Sequence, residues 1–431
     1  MKRIFKYVHN DLYLELICLI ILGLSFCFEP ADRVLSGYWI ILCSPSILVT
    51  DYSYIAGIGA TLFNVSTIML FNIILLKLLH VKMTGPVFSG VMMIAGFSFF
   101  GKNIFNTIPI YFGIWLFSRY KHVSFKSLII SVLFSTGLSP LVSYAIFGFG
   151  LPLYFSIPLG IVSGIVAGFI IPAFSAHTMV FHEGYNLYNT GFALGIISAL
   201  FYAVFNLFGL KATPVKLYDD SESMMFYYAL LIVSFFFIVF SFIGDACFFE
   251  KYIKLIKRPG KIINDFISEY GVEAVMFNIG IIGVMFTLLF FLVGVPLNGI
   301  LFGSVISVMG CAAFGVNPKN LISIWVGAGL ALLIRMLTIG DFNFDVYRDL
   351  SVMIAFIFSA GLAPISSRYG FIYGVAGGFL HIALTPLVIS LQGGFDLYNN
   401  GLSAGFEASI LVVCAQNVFT KEKTKWKRRT K

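Results

Sequence analysis

The chain has 431 residues, 59% of them hydrophobic and only 11% charged, with a formal net charge of +8. A soluble domain is about a quarter charged, so this chain has too little polar surface to cover itself in water, and too much apolar character for disorder. What remains is an all-α integral membrane protein that crosses the bilayer many times.

In chain order, the start carries Lys2, Arg3 and Lys6 and leads into a first apolar run, 11–28. No small-x-small cleavage site follows, since the chain reads Cys27-Phe28-Glu29-Pro30, so this run is expected to stay as a first helix. A membrane span needs about 20 apolar residues. Further runs of that order lie at 54–79, 128–147, 153–175, 187–208, 224–246, 273–293, 351–369, 371–391 and 401–418. Shorter runs lie at 36–50, 84–100, 104–118, 299–314 and 321–337. The short runs 84–100 with 104–118, and 299–314 with 321–337, form two pairs split by Gly and Asn. Short interrupted segments in matching places point to the binding site of repeat-built transporters.

A duplication runs through the chain. At an offset of 214, Gly57/Gly271, Ala60/Ala274, Phe63/Phe277, Asn64/Asn278, Gly85/Gly299, Gly96/Gly310, Gly101/Gly315, Asn103/Asn317 and Asn106/Asn320 coincide. At 224, Phe134-Ser-Thr-Gly-Leu-Ser-Pro140 matches Phe358-Ser-Ala-Gly-Leu-Ala-Pro364. At 210, Gly184-Tyr-Asn-Leu-Tyr-Asn-Thr-Gly191 matches Gly394-Phe-Asp-Leu-Tyr-Asn-Asn-Gly401. The division expected is 1–50 as cytoplasmic start, first helix and short apolar segment; 51–208 as repeat A; 209–268 as a linker with one helix and a basic loop; 269–418 as repeat B; and 419–431 as a basic tail. Each repeat holds about six membrane segments, some broken or re-entrant, for about 14 in all.

Charge orients the repeats. The stretch Lys251–Lys261 holds five basic residues and no acid, and Lys421–Lys431 holds seven against Glu422. Beside apolar spans such clusters mark cytoplasmic ends rather than a nucleic-acid site. If 36–50, with Pro45, does not cross, then the loop Arg119–Lys126 lies inside, Asp219, Asp220 and Glu222 outside, and the loop 338–350 with Asp341, Asp345 and Asp349 outside. Repeat B then enters from the side opposite to repeat A: the repeats are inverted, in the cell membrane, with both termini cytoplasmic.

The polar residues of the matching segments are the candidate substrate-binding set. Asn103 with Asn106, and Asn317 with Asn320, are spaced to share a helix face or to cap a helix start. An Asn side chain donates and accepts, so it can replace the hydration shell of a small polar solute. Tyr188-Asn189 and Tyr398-Asn399 stand before G-x-x-x-G pairs (Gly191/Gly195 and Gly401/Gly405) that suit close helix packing. Asn64 and Asn278 suit hydrogen bonds between helices. Intramembrane ionisable groups are functional candidates by default; here they include Glu273, His381, Glu407 and Asp396, which stands where repeat A has Asn186. Asp396 and Glu407 would hold a coupling proton or Na⁺ in a secondary transporter, although Asp396 also suits a helix cap. His182–Glu183 is the one acid–base pair near an interface. The six cysteines (Cys18, Cys27, Cys43, Cys247, Cys311, Cys414) form no C-x-x-C pair, and no H-E-x-x-H, P-loop or nucleophile-elbow pattern occurs. No cofactor, metal or catalytic residue is therefore expected.

The motifs F-G-x-N-x-x-N, F-S-x-G-L-x-P and G-[YF]-[ND]-L-Y-N-x-G resemble a family of bacterial polytopic membrane proteins, a domain of unknown function that occurs as two halves. That resemblance spans nearly the whole chain and implies the fold but no activity. A fainter likeness is to urea transporters, which also have two inverted halves; Asn317-Pro318 and Gly184-Tyr-Asn186 are similar in kind, while Asn103-Ile104 and Phe395-Asp396 depart from that pattern. The expected function is a channel, facilitator or transporter for a small polar solute, with its path between the repeats. The alternatives are the ion-coupled carrier and a membrane-embedded enzyme or assembly scaffold. The expected partners are the lipid bilayer, the solute and, through the G-x-x-x-G faces, a second copy of the chain.

Overall fold

The computed structural model describes residues 12–429, apart from 48, 214, 220, 222, 259, 262, 263 and 341–344. Lys2, Arg3, Lys6, Asp220, Glu222 and Asp341 thus lie outside the described residues. The first half contains α1 (Leu12–Phe28), α2 (Ala31–Cys43), α3 (Tyr52–Ala56), α4 (Ile58–Leu78), α5 (Gly85–Phe97), α6 (Ile104–Tyr120), α7 (Ile129–Ser135), α8 (Ser139–Phe147), α9 (Leu153–Phe181) and α10 (Asn189–Leu207). The second half contains α11 (Met224–Ser241), α12 (Phe248–Lys257), α13 (Phe266–Tyr270), α14 (Val272–Val293), α15 (Gly299–Cys311), α16 (Pro318–Ile339), α17 (Leu350–Phe358), α18 (Ala363–Tyr369), α19 (Phe371–Ser390) and α20 (Asn399–Arg429). The described residues form no strand; one isolated bridge pairs Thr50 with Leu217.

Among the described residues, ten helices are long and apolar enough to cross a membrane, or eleven if the bent pair α1–α2 makes one span. This is a multi-pass membrane protein. Large apolar side chains stand bare on its outside, Tyr154 at 84% and Ile372 at 78% exposure among them, a surface suited to lipid rather than water. The expected count of about 14 included runs shorter than a span. Of these, α5 and α15 have 13 residues and α6 has 17. The run 321–337 is longer than its sequence suggested: Asn317 and Pro318 start α16 early, and the helix continues to a left-handed cap at Gly340, giving 22 residues. The segment 36–50 does not continue the first helix, because α2 turns 112° away from α1.

The short helices are the centre of the fold. Every residue of α15, and nearly every residue of α5, is buried. The two pack on each other where a Cβ on Gly96 would lie 2.1 Å from the Gly303 carbonyl oxygen. Around them α4 packs on α1, α14 on α11, α9 on α6 and α19 on α16. The turn after each short helix exposes backbone carbonyls at membrane depth, where they need partners. Asn64 Nδ2 donates to the carbonyls of Ser98 and Lys102, both at 2.8 Å. Asn278 Nδ2 donates to those of Ala312 and Val316, at 2.9 and 2.8 Å. These are the same bonds at equivalent positions. Entry to each short helix is also matched. Gly85 N donates to Asp265 Oδ1 at 2.7 Å, and Gly299 N donates to Asp51 Oδ2 at 2.9 Å, each from the other half of the chain. Before α4 and α14 the chain turns at Gly57 and Gly271, both with φ of 89°, a conformation that a side chain resists.

Asn64→Ala or Asn278→Ala leaves two buried carbonyls unpaired. Each is expected to lower the unfolding free energy by about 1–3 kcal/mol, read as an earlier thermal melt in detergent. An unchanged melt would remove this account of the turns.

Candidate functional site

The two G-[YF]-[ND]-L-Y-N-x-G segments meet in the interior. Leu187 N donates to the Gly361 carbonyl at 3.0 Å, and Leu397 N donates to the Gly137 carbonyl at 2.9 Å. Leu397 lies against Gly101 and Leu187 against Gly315. Gly191 and Gly401, equivalent residues, touch directly: a Cβ on Gly401 would lie 2.7 Å from the Gly191 Cα. These glycines therefore serve close packing of α10 on α20, the structural reading of their G-x-x-x-G spacing.

Beside this contact sits Lys102, fully buried in the turn between α5 and α6. Its ammonium donates to Thr136 Oγ1 at 2.8 Å and to Tyr398 Oη at 2.5 Å. It also stands over the rings of Phe97 and Tyr398, at 5.1 and 4.5 Å. It attracts Asp396 electrostatically. Asp396 is fully buried too, with Oδ1 accepting from Tyr398 N at 2.8 Å and Oδ2 without a partner. At the equivalent positions, with the two halves exchanged, stand Val316, Ala360, Tyr188 and Asn186. There Tyr188 Oη lacks a nitrogen or oxygen partner and lies by the Cys311 thiol. Asn186 Oδ1 accepts from Tyr188 N at 2.9 Å, as Asp396 does from Tyr398. The backbone is the same in both, but one half-site is charged and the other neutral.

The Asn pairs form caps. Asn103 and Asn106 close a reciprocal capping box at the start of α6, and Asn317 and Asn320 do the same at α16. Asn106 Nδ2 reaches the Gly101 carbonyl and Ser143 Oγ, both at 2.9 Å. Asn320 Nδ2 reaches the Gly315 carbonyl and Ser367 Oγ, also at 2.9 Å. Asn103 Nδ2 donates to the Ile41 carbonyl at 3.2 Å, which leaves Asn317 Nδ2 as the unpaired group of the four. Asn189 is saturated by Thr178, His182 and the Ser175 carbonyl. Asn399 keeps Nδ2 unpaired, while its Oδ1 accepts from Asn400 Nδ2 at 2.7 Å. Glu407 Oε2 pairs with His381 Nδ1 at 2.9 Å, and His381 Nε2 with Asn400 Oδ1 at 3.1 Å, all three residues buried. His182 and Glu183 do not pair with each other: His182 bonds Asn189, and Glu183 accepts from Gln416 at 2.9 Å. Glu273 stands half-buried at the start of α14, away from this centre.

Two cavities flank the site. One of about 10 Å³, room for one water, is lined by Tyr188, Tyr398, Phe97, Phe358 and Asn400. The other, about 480 Å³, opens beside Tyr144, Phe149 and the 209–217 loop. Its floor residues Tyr144 and Phe149 pack on buried Phe395, next to Asp396, with ring centroids at 5.6 and 6.4 Å. Tyr185, the equivalent of Phe395, packs on Tyr369 at 5.3 Å and lies under the Lys261 ammonium at 4.7 Å.

Sequence reasoning missed Lys102, Thr136 and Asn400. Lys102 stood inside a motif noted for its asparagines, yet a lysine in a membrane-depth turn, with Val316 as its counterpart, was itself the signal. A family model for a protein of unknown function (DUF1576) matches this chain twice, over residues 31–207 and 245–417. The chain belongs to that family. The double match is consistent with a duplicated domain and takes in 31–50 and 245–268 as well as the expected repeat cores. No curated protein and no solved structure matches the chain, so the likeness to urea transporters is unsupported.

Lys102→Met removes the donor to Thr136 Oγ1 and Tyr398 Oη and the ammonium that attracts buried Asp396, and is expected to destabilise the protein by about 1–3 kcal/mol. Adding Asp396→Asn, which copies the neutral half-site, should restore most of that loss in a detergent melt. A double variant no more stable than the single one would contradict the pairing.

Proposed function

We propose that this chain is a membrane transport protein, built from two repeats of inverted topology, that carries a small polar solute along their interface. The inverted arrangement is supported by the matched bonds at equivalent positions and by the charges. Half-buried Lys251 and exposed Lys254 and Lys257 on α12 belong on the cytoplasmic side, and Asp219 and Asp349 on the opposite one. Equivalent residues in mutual contact lie on the axis that relates the halves. For inverted repeats that axis runs in the membrane plane, which puts Gly191 and Gly401, with the charged half-site beside them, near mid-membrane.

One observation carries the transport reading. Burying a lysine and an aspartate costs several kcal/mol of desolvation, and the fold has no need of them, since Val316, Ala360 and Asn186 stand at the matching positions. A free Asp396 oxygen beside Lys102 suits a ligand that both donates and accepts. The cavity of about 480 Å³ is of the size of a small-molecule site and leads toward Phe395. Buried Phe395, the neighbour of Asp396, packs on Tyr144 and Phe149 of that cavity's lining. His182 and Glu183 point to different partners, which weighs against an acid–base enzyme.

Topology is tested in a cysteine-free background, because Cys27, Cys247 and Cys414 are exposed. A cysteine replacing Lys216 is expected to react with an impermeant reagent from outside, and one replacing Lys254 from inside only. The reverse would overturn the orientation. Transport is tested by stopped-flow light scattering on proteoliposomes with a panel of small neutral and zwitterionic solutes, with and without a pH or Na⁺ gradient. Flux above empty liposomes is expected, falling at least tenfold in the folded Lys102→Met/Asp396→Asn variant. Full flux in that variant would remove the charged half-site from the path.

A further inference from the structure

The second charged group of the interior has its own logic. Asn400 Nδ2 donates to Asn399 Oδ1 at 2.7 Å, so Asn400 Oδ1 is the atom that faces His381 Nε2 at 3.1 Å. Asn189, whose own counterpart is Asn399, is oriented in the same way, with Oδ1 toward a histidine and Nδ2 donating to the Ser175 carbonyl at 2.9 Å. An acceptor opposite Nε2 requires a proton on Nε2. The other ring nitrogen, Nδ1, faces Glu407 Oε2 at 2.9 Å. Between them lies one proton, carried either on Nδ1 beside a carboxylate or on the carboxyl beside a neutral ring.

We propose that the His381–Glu407 pair is a binding site for a single labile proton, and that its occupancy controls how α19 packs on α20. If the proton leaves, a ring lone pair and a carboxylate face each other at a distance that only a hydrogen bond tolerates, and the helices that carry them must part. His182 differs: its Nδ1 accepts from Asn186 N at 3.4 Å and its Nε2 faces Asn189, so no proton is shared with an acid. Nor does the fold need the pair, because Ile171, Thr190 and Ile197 stand at the equivalents of His381, Asn400 and Glu407. Asn400 also lines the small cavity between Tyr188 and Tyr398, which joins the proton site to the centre. Glu407 Oε1 is buried and unpaired.

The elements packed on α19 and α20 bring few other charges. Lys319 and Arg335 on α16 and Arg368 on α18 are exposed, Tyr202 lies on α10, Tyr369 on α18 and Tyr373 on α19, and α17 brings none. Tyr185 and Glu183 come from the loop before α10, Glu183 bound to Gln416. Asp396 and Lys102 lie in the neighbouring half-site. Among the described residues, no lysine or arginine pairs with Glu407 to take over the role of the shared proton.

The use of this proton to drive a solute rests on the transport reading; the site itself does not. The full-length protein in detergent is titrated with a pH indicator, alongside Glu407→Gln and His381→Phe, with infrared detection of the carboxyl C=O stretch. The wild type is expected to release one proton per chain more than Glu407→Gln. His381→Phe should retain the carboxyl but shift the pH at which its band disappears. Identical titrations of wild type and Glu407→Gln, or an unmoved band in His381→Phe, would overturn the proposal. Solute flux is measured separately on the same preparations. Its absence with the proton present would count against transport and leave the proton site standing.

Discussion

Inside a bilayer each backbone N–H and C=O must find its partner within the chain, and the rest of this structure follows from how two broken helices meet that demand. The turns after α5 and α15 free several carbonyls. One asparagine on each neighbouring long helix, Asn64 or Asn278, collects two of them. A capping box then starts the next helix, and an aspartate from the opposite half receives the first N–H of each short helix. With these bonds made, irregular backbone can lie at the centre of the molecule, where uninterrupted helices would leave no polar surface.

The two stretches that the family model matches serve as internal controls for each other. Where both halves need a residue for structure, both have it: Asn64 and Asn278, Asp51 and Asp265, Gly191 and Gly401. Lys102 of the first half and Asp396, His381 and Glu407 of the second have Val316, Asn186, Ile171 and Ile197 as their counterparts, and the bonds of Leu187 and Asn186 match those of Leu397 and Asp396. Stability therefore does not explain the charged set. Its members come from the turn before α6, from α19, and from the start of α20 and the loop before it, and they converge beside the Gly191–Gly401 contact. On the proposed transport reading, such a placement suits groups that sense a solute or a proton.

Much of this was legible in the sequence. Asn, Gly and Pro repeat in order because backbone geometry holds them there, and apolar run length gave most of the spans. The asparagine pairs were readable as caps or as site residues, and their bonds are those of caps. Two things were hidden. Which residues touch across the halves depends on how the turns dock, so the bond from Lys102 to Tyr398 has no local signature. The full length of α16 was hidden by its ends: Pro318, Lys319 and Asn320 start the helix before the apolar run 321–337, and Thr338 and Ile339 carry it on to the cap at Gly340. Lys102 itself is visible in the sequence, as a lysine in a turn at membrane depth whose counterpart is Val316.

The central claim is that the two halves offer equivalent places and that charge makes one of them the site. The most direct measurement moves the charge. Lys102→Val, Thr136→Ala and Asp396→Asn neutralise the present half-site, while Val316→Lys, Ala360→Thr and Asn186→Asp build its counterpart beside Tyr188, whose hydroxyl is free to accept. Solute flux in proteoliposomes should be lost in the neutralised protein and regained when the three opposite substitutions are added. A folded sixfold variant that stays as silent as the neutralised one would contradict the account.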